Sequence, residues 1–324
     1  MNITKGVALA CAVAVGLVLA TSTPSDAFDK FQQKCRSTIA KTGTKLASTV
    51  GKTLSGCHKN RSKAKINEAV DCNTINASSD PKGKVGKAET KLRDSVGGAK
   101  DKCAVAVVGT PSALGYSGCP APCDLVVPAI GDFADVAECI ICLAENSTQA
   151  MSGFTQGSPG PTPLDKGEAK CHRSIGKGNG KFFATILKER TKCQRSAEKG
   201  GSETTLSCAG ADPKGKIAKS RLKGEAGLDK SCGIGVVLAD VDSCSDVSVA
   251  ALKTCVFNDS DSRGETLFEQ FYALGAGGGT TTTTVVVTTT TTITTTTTIP
   301  GGGQHAQCPD RGELTLFAGI GRAC

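Results

Sequence analysis

The pentapeptide Asp80-Pro81-Lys82-Gly83-Lys84 returns later in the chain as Asp212-Pro213-Lys214-Gly215-Lys216. Upstream of the first copy lie Cys35, Cys57 and Cys72, spaced 22 and 15 residues apart. Upstream of the second lie Cys171, Cys193 and Cys208, again 22 and 15 apart. Downstream, Cys103 matches Cys232 after a net loss of seven residues from the second copy. A cysteine ladder and an identical pentapeptide that recur in step mark an internal duplication, and this decides the architecture before local propensity does.

Both copies read as helical. Phe28, Phe31, Cys35, Ile39, Leu46, Val50 and Cys57 fall on one helical stripe, as do Cys171, Ile175, Phe182, Ile186 and Cys193. Asp-Pro then predicts an N-cap with Pro in the first turn. The second helix it opens carries Val85, Ala88, Leu92, Val96 and Cys103, or Ile217, Leu222, Leu228 and Cys232. The Gly and Thr content weakens every one of these helices. The fold class expected is therefore all-α: two tandem helical-hairpin repeats stapled by disulfides.

The staples follow from helix geometry. Cys35 and Cys57 stand about 33 Å apart on a continuous helix and cannot bond each other. A second helix of matching length, folded back antiparallel from Asp80, brings Cys103 beside Cys35 and leaves Cys57 facing the loop of Cys72. The expected bridges are Cys35–Cys103 and Cys57–Cys72, then Cys171–Cys232 and Cys193–Cys208. Each copy continues into an acidic segment, with short helices expected over Phe133 to Leu143 and Val247 to Val256. The second copy closes with Cys244–Cys255. The first has one pair more; Cys119–Cys142 with Cys123–Cys139 is expected, and the swapped pairing is the near alternative.

Composition sets the compartment. The chain has 324 residues with 17 Cys, no Trp and only 4% aromatics, so its core rests on small aliphatic side chains and needs covalent help. Lys5, the apolar run Val7 to Ala20 and Ser25-Asp26-Ala27 read as a signal peptide, residues 1–27. The run is too short for a span, and no other stretch is long enough to cross a bilayer. Removing Cys11 with the leader leaves an even sixteen cysteines, the parity of a disulfide framework. Residues 28–150 form the first repeat, 151–165 a Gly/Pro/Ser linker and 166–274 the second repeat. Residues 275–303 are a disordered Gly/Thr-rich linker with fifteen Thr between Thr280 and Thr298. A short tail, 304–324, carries Cys308 and Cys324, the last expected pair.

The net charge of +8 is unevenly spread. Residues 28–110 hold 17 Lys/Arg against 7 Asp/Glu, and 111–165 hold none against 6. Residues 166–238 hold 16 against 7, and 239–275 hold 2 against 7. Each basic hairpin is thus followed by an acidic segment, expected either to pack over it or to stand with it as a solvated face. Head-to-tail association between molecules is the sharper alternative, and a patch for anionic lipid or polysaccharide is a third. Nucleic acid is not expected, because stacking aromatics are scarce.

Chemistry is harder to find. Cys139-Ile-Ile-Cys142 has redox spacing, and Cys119, Cys123, Cys139 and Cys142 have zinc-site composition, but export favours structural disulfides. His58 and His172 each follow a Cys at non-equivalent ends of the hairpins and are expected at the surface. Gly176-Lys-Gly-Asn-Gly180-Lys181 lacks the spacing and the Ser/Thr of a phosphate loop. Asn76, Asn146 and Asn258 open glycosylation sequons. No catalytic, cofactor-binding or metal-ligating residue is expected, and no cofactor.

Cys35-Arg-Ser-Thr-Ile-Ala-Lys41, the helix to Cys57, Asp80-Pro-Lys, Cys103 and the poly-Thr stretch together resemble a family. It is that of secreted Cys-rich helical repeat proteins of environmental, deltaproteobacterial-type bacteria. That resemblance implies export and repeats and carries no activity with it. The function expected is an exported, non-enzymatic structural or interaction module, secreted or at the cell surface. Its partner would be an unknown protein or envelope component. The alternative is a small-ligand or lipid carrier using the apolar interior.

Overall fold

Asp29 opens the first long helix with a reciprocal cap. Its Oδ1 accepts from the backbone N–H groups of Phe31 (2.7 Å) and Gln32 (2.8 Å), and Gln32 Oε1 accepts from Asp29 N–H at 3.0 Å. Asp165 and Glu168 build the same cap on the second long helix, at 2.7 and 2.9 Å. These caps start α1 (Lys30–Arg61) and α5 (Lys166–Lys199). The computed structural model describes residues 28–157, 164–201, 208–233, 244 and 248–272. The expected signal peptide 1–27, the Thr-rich linker 275–303 and the tail with Cys308 and Cys324 lie outside these residues.

The regular structure is all helical, with no strand among the described residues. In order come α1, α2 (Lys84–Val96), α3 (Val105–Val108), α4 (Phe133–Gln156), α5, α6 (Lys216–Asp229) and α7 (Val249–Tyr272). Each half thus runs long helix, short helix, long helix, the first with the four-residue α3 as an additional turn before α4. Five bridges join Cys35–Cys103, Cys57–Cys72, Cys171–Cys232, Cys193–Cys208 and Cys244–Cys255. In the extra pair the structure corrects the expectation: Cys119 bonds Cys139 and Cys123 bonds Cys142. Cys139 and Cys142 are three residues apart on α4 and so face the same side, where Cys119 and Cys123 reach them in chain order.

The second helix of each hairpin is also shorter than expected. The Asp-Pro-Lys-Gly-Lys sequence is a turn, with Gly83 and Gly215 in the left-handed region at φ 56° and 60°. The helix starts after the Gly, and the Asp caps it from outside. Asp80 Oδ2 accepts from Val85 N–H at 2.8 Å, while Asp212 accepts from Lys216, Ile217 and Ala218 at 2.8 to 3.0 Å. At the other end α2 stops at Val96. Gly97 lies against the start of α4 so closely that a Cβ would stand 2.6 Å from Ala134 N. Cys103 therefore reaches Cys35 from a loop.

The third helices are longer than the pattern suggested. α4 continues through the stretch expected to begin the linker, up to Gln156, and α7 runs sixteen residues past Val256 to Tyr272. The extension of α7 supplies Leu267, Phe268, Phe271 and Tyr272, all wholly buried. They pack with Ile39, Leu46, Val50, Leu92, Val136 and Ile140 of the first half in a single apolar cluster. A second cluster joins Ile175, Phe182, Ile186, Ile217, Leu252, Val256 and Phe257. The first hydrophobic core is completed by the second half of the chain.

α1 and α5 pack against each other in opposite directions. Arg36, near the start of α1, meets Glu198 near the end of α5, and Thr44 meets Thr191. His58, near the end of α1, meets His172 near the start of α5. α4 and α7 flank this pair. No helix among the described residues is long and apolar enough to cross a membrane. Seven bridges imply that the protein matures in an oxidising compartment.

Candidate functional site: a basic groove between two long helices

The acidic third helices cover one side of the basic hairpins. Arg93 of α2 forks onto Glu138 of α4, at 2.5 and 2.9 Å, and also meets Glu89 at 3.2 Å. Arg190 of α5 meets Glu265 of α7 at 2.6 Å. Arg221 donates to Glu225 and to Asn258, both at 2.9 Å. Lys253 of α7 pairs with Asp229 of α6 at 2.8 Å, and within α7 Arg263 pairs with Asp259 at 2.8 Å. The packing of acidic segment over basic hairpin is real, and it runs mainly through arginines.

One set of lysines lies elsewhere. A groove of about 830 Å³ runs between α1 and α5. From α1 it is lined by Ser48, Gly51, Lys52, Ser55, Gly56 and Lys59. From α5 come Lys170, Arg173, Lys177, Lys181 and Lys188, with Ser174, Gly180 and Thr185 between them. Seven cations and no carboxylate form this lining. Among the described residues none of the seven has a carboxylate within ion-pair distance. Lys170 instead donates to Lys230 O at 3.1 Å and Arg173 Nε to Ala169 O at 2.8 Å. Lys63, just past the groove end, registers the crowding. Arg173, then burial, Lys59 and Lys65 hold its ammonium pKa below the ordinary lysine value.

The helical period explains the stripe. Lys170, Arg173, Lys177, Lys181 and Lys188 follow three, four, four and seven residues apart, which keeps them on one face of α5. Lys52 and Lys59 follow the same spacing on α1. The glycine-rich stretch Gly176–Lys181, rejected as a phosphate loop, is a piece of this helix. Its Lys-every-third-or-fourth pattern was visible, but its alignment with α1 was not.

Beneath one end of the groove lies a buried polar cluster. His58 and His172 are 1% and 8% exposed, with ring centroids 5.3 Å apart and edge to face. Their expected surface position is corrected: antiparallel packing of α1 on α5 turns both rings inward. His58 Nε2 lies 2.9 Å from Asn73 Oδ1 and 3.3 Å from Ser152 Oγ. Its Nδ1 lies 3.3 Å from Arg61 Nη2. His172 Nε2 bonds Gln156 O at 2.9 Å. Burial first, then the charges of His172 and Arg61, push the His58 pKa down to about 3, so the ring is neutral.

At the opposite end, Arg36 is wholly buried. It donates from Nε to Glu198 at 3.0 Å and from Nη1 to Tyr272 O at 2.9 Å and to Leu114 O. Tyr116 O–H, also buried, donates to Phe271 O at 3.0 Å. These groups tie the halves together and are closed to solvent. The four thiols that had zinc-site composition are consumed as Cys119–Cys139 and Cys123–Cys142. Among the described residues no cluster of His, Cys, Asp and Glu has the geometry to hold a metal. No protein-family model matches the chain, and no curated protein and no solved structure matches it.

Proposed function

We propose that the protein is an exported, non-catalytic interaction module that recognises a polyanion of the cell envelope or its surroundings through the α1–α5 groove. One observation carries this reading: seven cations line a concave surface in which no carboxylate neutralises them. Keeping like charges together raises the energy of the free protein, and an anionic partner relieves it. The seven disulfides support an extracellular setting for the partner. The carrier reading is the weaker one, because the apolar stripes a cargo would enter pack on one another. Ile39, Leu46, Val50 and Leu54 of α1 are wholly buried in that packing.

The test is co-sedimentation of the oxidised chain with envelope fragments across a salt series. Retention at low salt and release near 1 M, where the screening length is about 3 Å, is the expected result. Reversing Lys52 and Lys177 to Glu should abolish the retention. Retention that neither salt nor this variant changes would overturn the reading. If the acidic helices of a second copy occupied the groove, the chain alone would associate at low salt, which sedimentation velocity reads directly.

A further inference from the structure

We infer that the groove's ligand is a linear acidic polysaccharide lying lengthwise between α1 and α5, an inference that rests on the polyanion reading above. Shape is the first reason. From Lys170 to Lys188 the wall covers about 27 Å of helix axis. Its cations are strung along that length and not gathered around one point. A compact anion such as orthophosphate meets only a few of them, whereas an extended chain of repeating negative charges meets them all.

The floor is the second reason. Gly56 and Gly180 bring the groove down to bare helix backbone. A Cβ placed on Gly56 or on Gly180 would find no atom within 4 Å. The space above these two residues is therefore open, and a thread-like ligand can descend into it. A bilayer surface is flat on this scale and reaches the lysine rims alone.

The third reason is the character of the remaining lining. Ser48 and Ser55 alternate with Lys52 and Lys59 along α1, while Ser174 and Thr185 on α5 are already bonded to Ser231 Oγ and Lys181 O at 2.8 Å each. Hydroxyls placed between charges suit a polymer that alternates hydroxyl groups with carboxylates or sulfates along one strand. No aromatic side chain is among the lining residues, so a single-stranded nucleic acid would find charge but no surface on which to stack its bases.

The experiment uses the exported, disulfide-intact chain and measures affinity for four probes. These are uronic-acid oligomers of graded length, phosphatidylglycerol vesicles, single-stranded homopolymeric DNA and inorganic phosphate. Affinity should climb with oligouronate length until the groove is spanned, and exceed that for the other probes at equal charge. Gly56→Leu combined with Gly180→Leu fills the floor without altering charge. It should cost about tenfold or more in oligouronate affinity and leave vesicle binding unchanged.

Lys52→Glu with Lys177→Glu should weaken oligouronate binding roughly thirtyfold or more, since losing two surface cations alone gives about that factor against an anionic array and the reversal adds two carboxylates. Lys87→Glu with Lys91→Glu, on the exposed face of α2, makes the same change in net charge and should leave affinity near that of the parent. Tighter binding to vesicles or DNA, or an unchanged affinity in the leucine pair, would overturn the polysaccharide assignment while leaving the polyanion reading intact. Binding to none of the probes, or indifference to the Lys52 and Lys177 reversal, would remove both.

Discussion

The two ends of the α1–α5 pair occupy matching places in the recurring cysteine pattern and solve burial in opposite ways. Arg36 and His172 each follow the first cysteine of their copy, and His58 and Gln194 each follow the second. Antiparallel packing sets Arg36 against the end of α5 and His172 against the end of α1. At the first end a buried cation keeps its charge because Glu198 and two carbonyl groups meet it. At the second end the buried group is an imidazole, which gives up its proton where no carboxylate faces it. A buried charge must be paired or discharged, and the two ends of the helix pair take one course each.

The largest effect should come from breaking the charged end. Arg36→Met leaves Glu198 buried and alone and should cost about 3–5 kcal/mol in chemical unfolding. Adding Glu198→Leu should restore most of that loss. If the single variant were as stable as the parent, the ion pair would have no structural role.

Covalent closure ranks next. Cys35–Cys103 closes 68 residues and Cys57–Cys72 closes 15. Replacing both partners with Ala should cost about 4 kcal/mol in the first case and about 3 in the second, on the chain-entropy view. Thermal unfolding of the two double variants measures the order, and a reversed order would show that native packing outweighs loop length.

The histidine end is sharpened by pH. With a folded pKa near 3 and an ordinary value of 6.5, His58 binds fewer protons folded than unfolded between those limits. Its contribution to stability is thus complete above pH 6.5 and falls as the solution is acidified, by up to about 2 kcal/mol at pH 5. Glu145 slopes the other way. Burial, then Glu89, raise its pKa to about 8, so it holds a proton in the folded state and loses stability as pH rises from 4.5. His58→Gln imports the residue found at the matching position, Gln194, and should flatten the acid limb alone. A limb as steep as the parent's would assign the acid loss to other groups.

The smallest effect belongs to the groove. Gly180 sits inside α5 with open space where a Cβ would point. Gly180→Ala should therefore stabilise the fold by about 0.5–1 kcal/mol through helix propensity. Destabilisation would mean that this glycine serves packing, against the open-floor geometry.

Much of the architecture was readable one residue at a time. The recurring Cys spacing and the helical stripes point to stapled helices because each depends on local period and parity. The readings that failed were tertiary in origin. The apolar stripe of α2 continues to Cys103 in the sequence, but the helix ends at Val96, where Gly97 closely approaches α4. α4 and α7 were drawn too short because Ser, Thr and Asp interrupt their pattern, and only burial against α1 and α5 makes Thr148, Ser152 and Ser260 acceptable inside a helix. The Cys119 and Cys123 partners stayed open because both pairings obey the same spacing.

The candidate site was half legible. Lysines at three- and four-residue steps on both long helices are a property of the sequence alone, as are the basic and acidic alternation and the oxidising compartment implied by cysteine parity. Which charges would be neutralised was not. Arginines and lysines count equally in a composition, yet packing sent Arg36, Arg93 and Arg190 to carboxylates and left the lysines of two distant segments facing each other across a groove. That division depends on the antiparallel register of α1 and α5, which is set by contacts between residues more than a hundred positions apart. Local period determined which residues share a face; the packing of the two halves decided which faces meet, which buried groups keep their charge and which surface stays open.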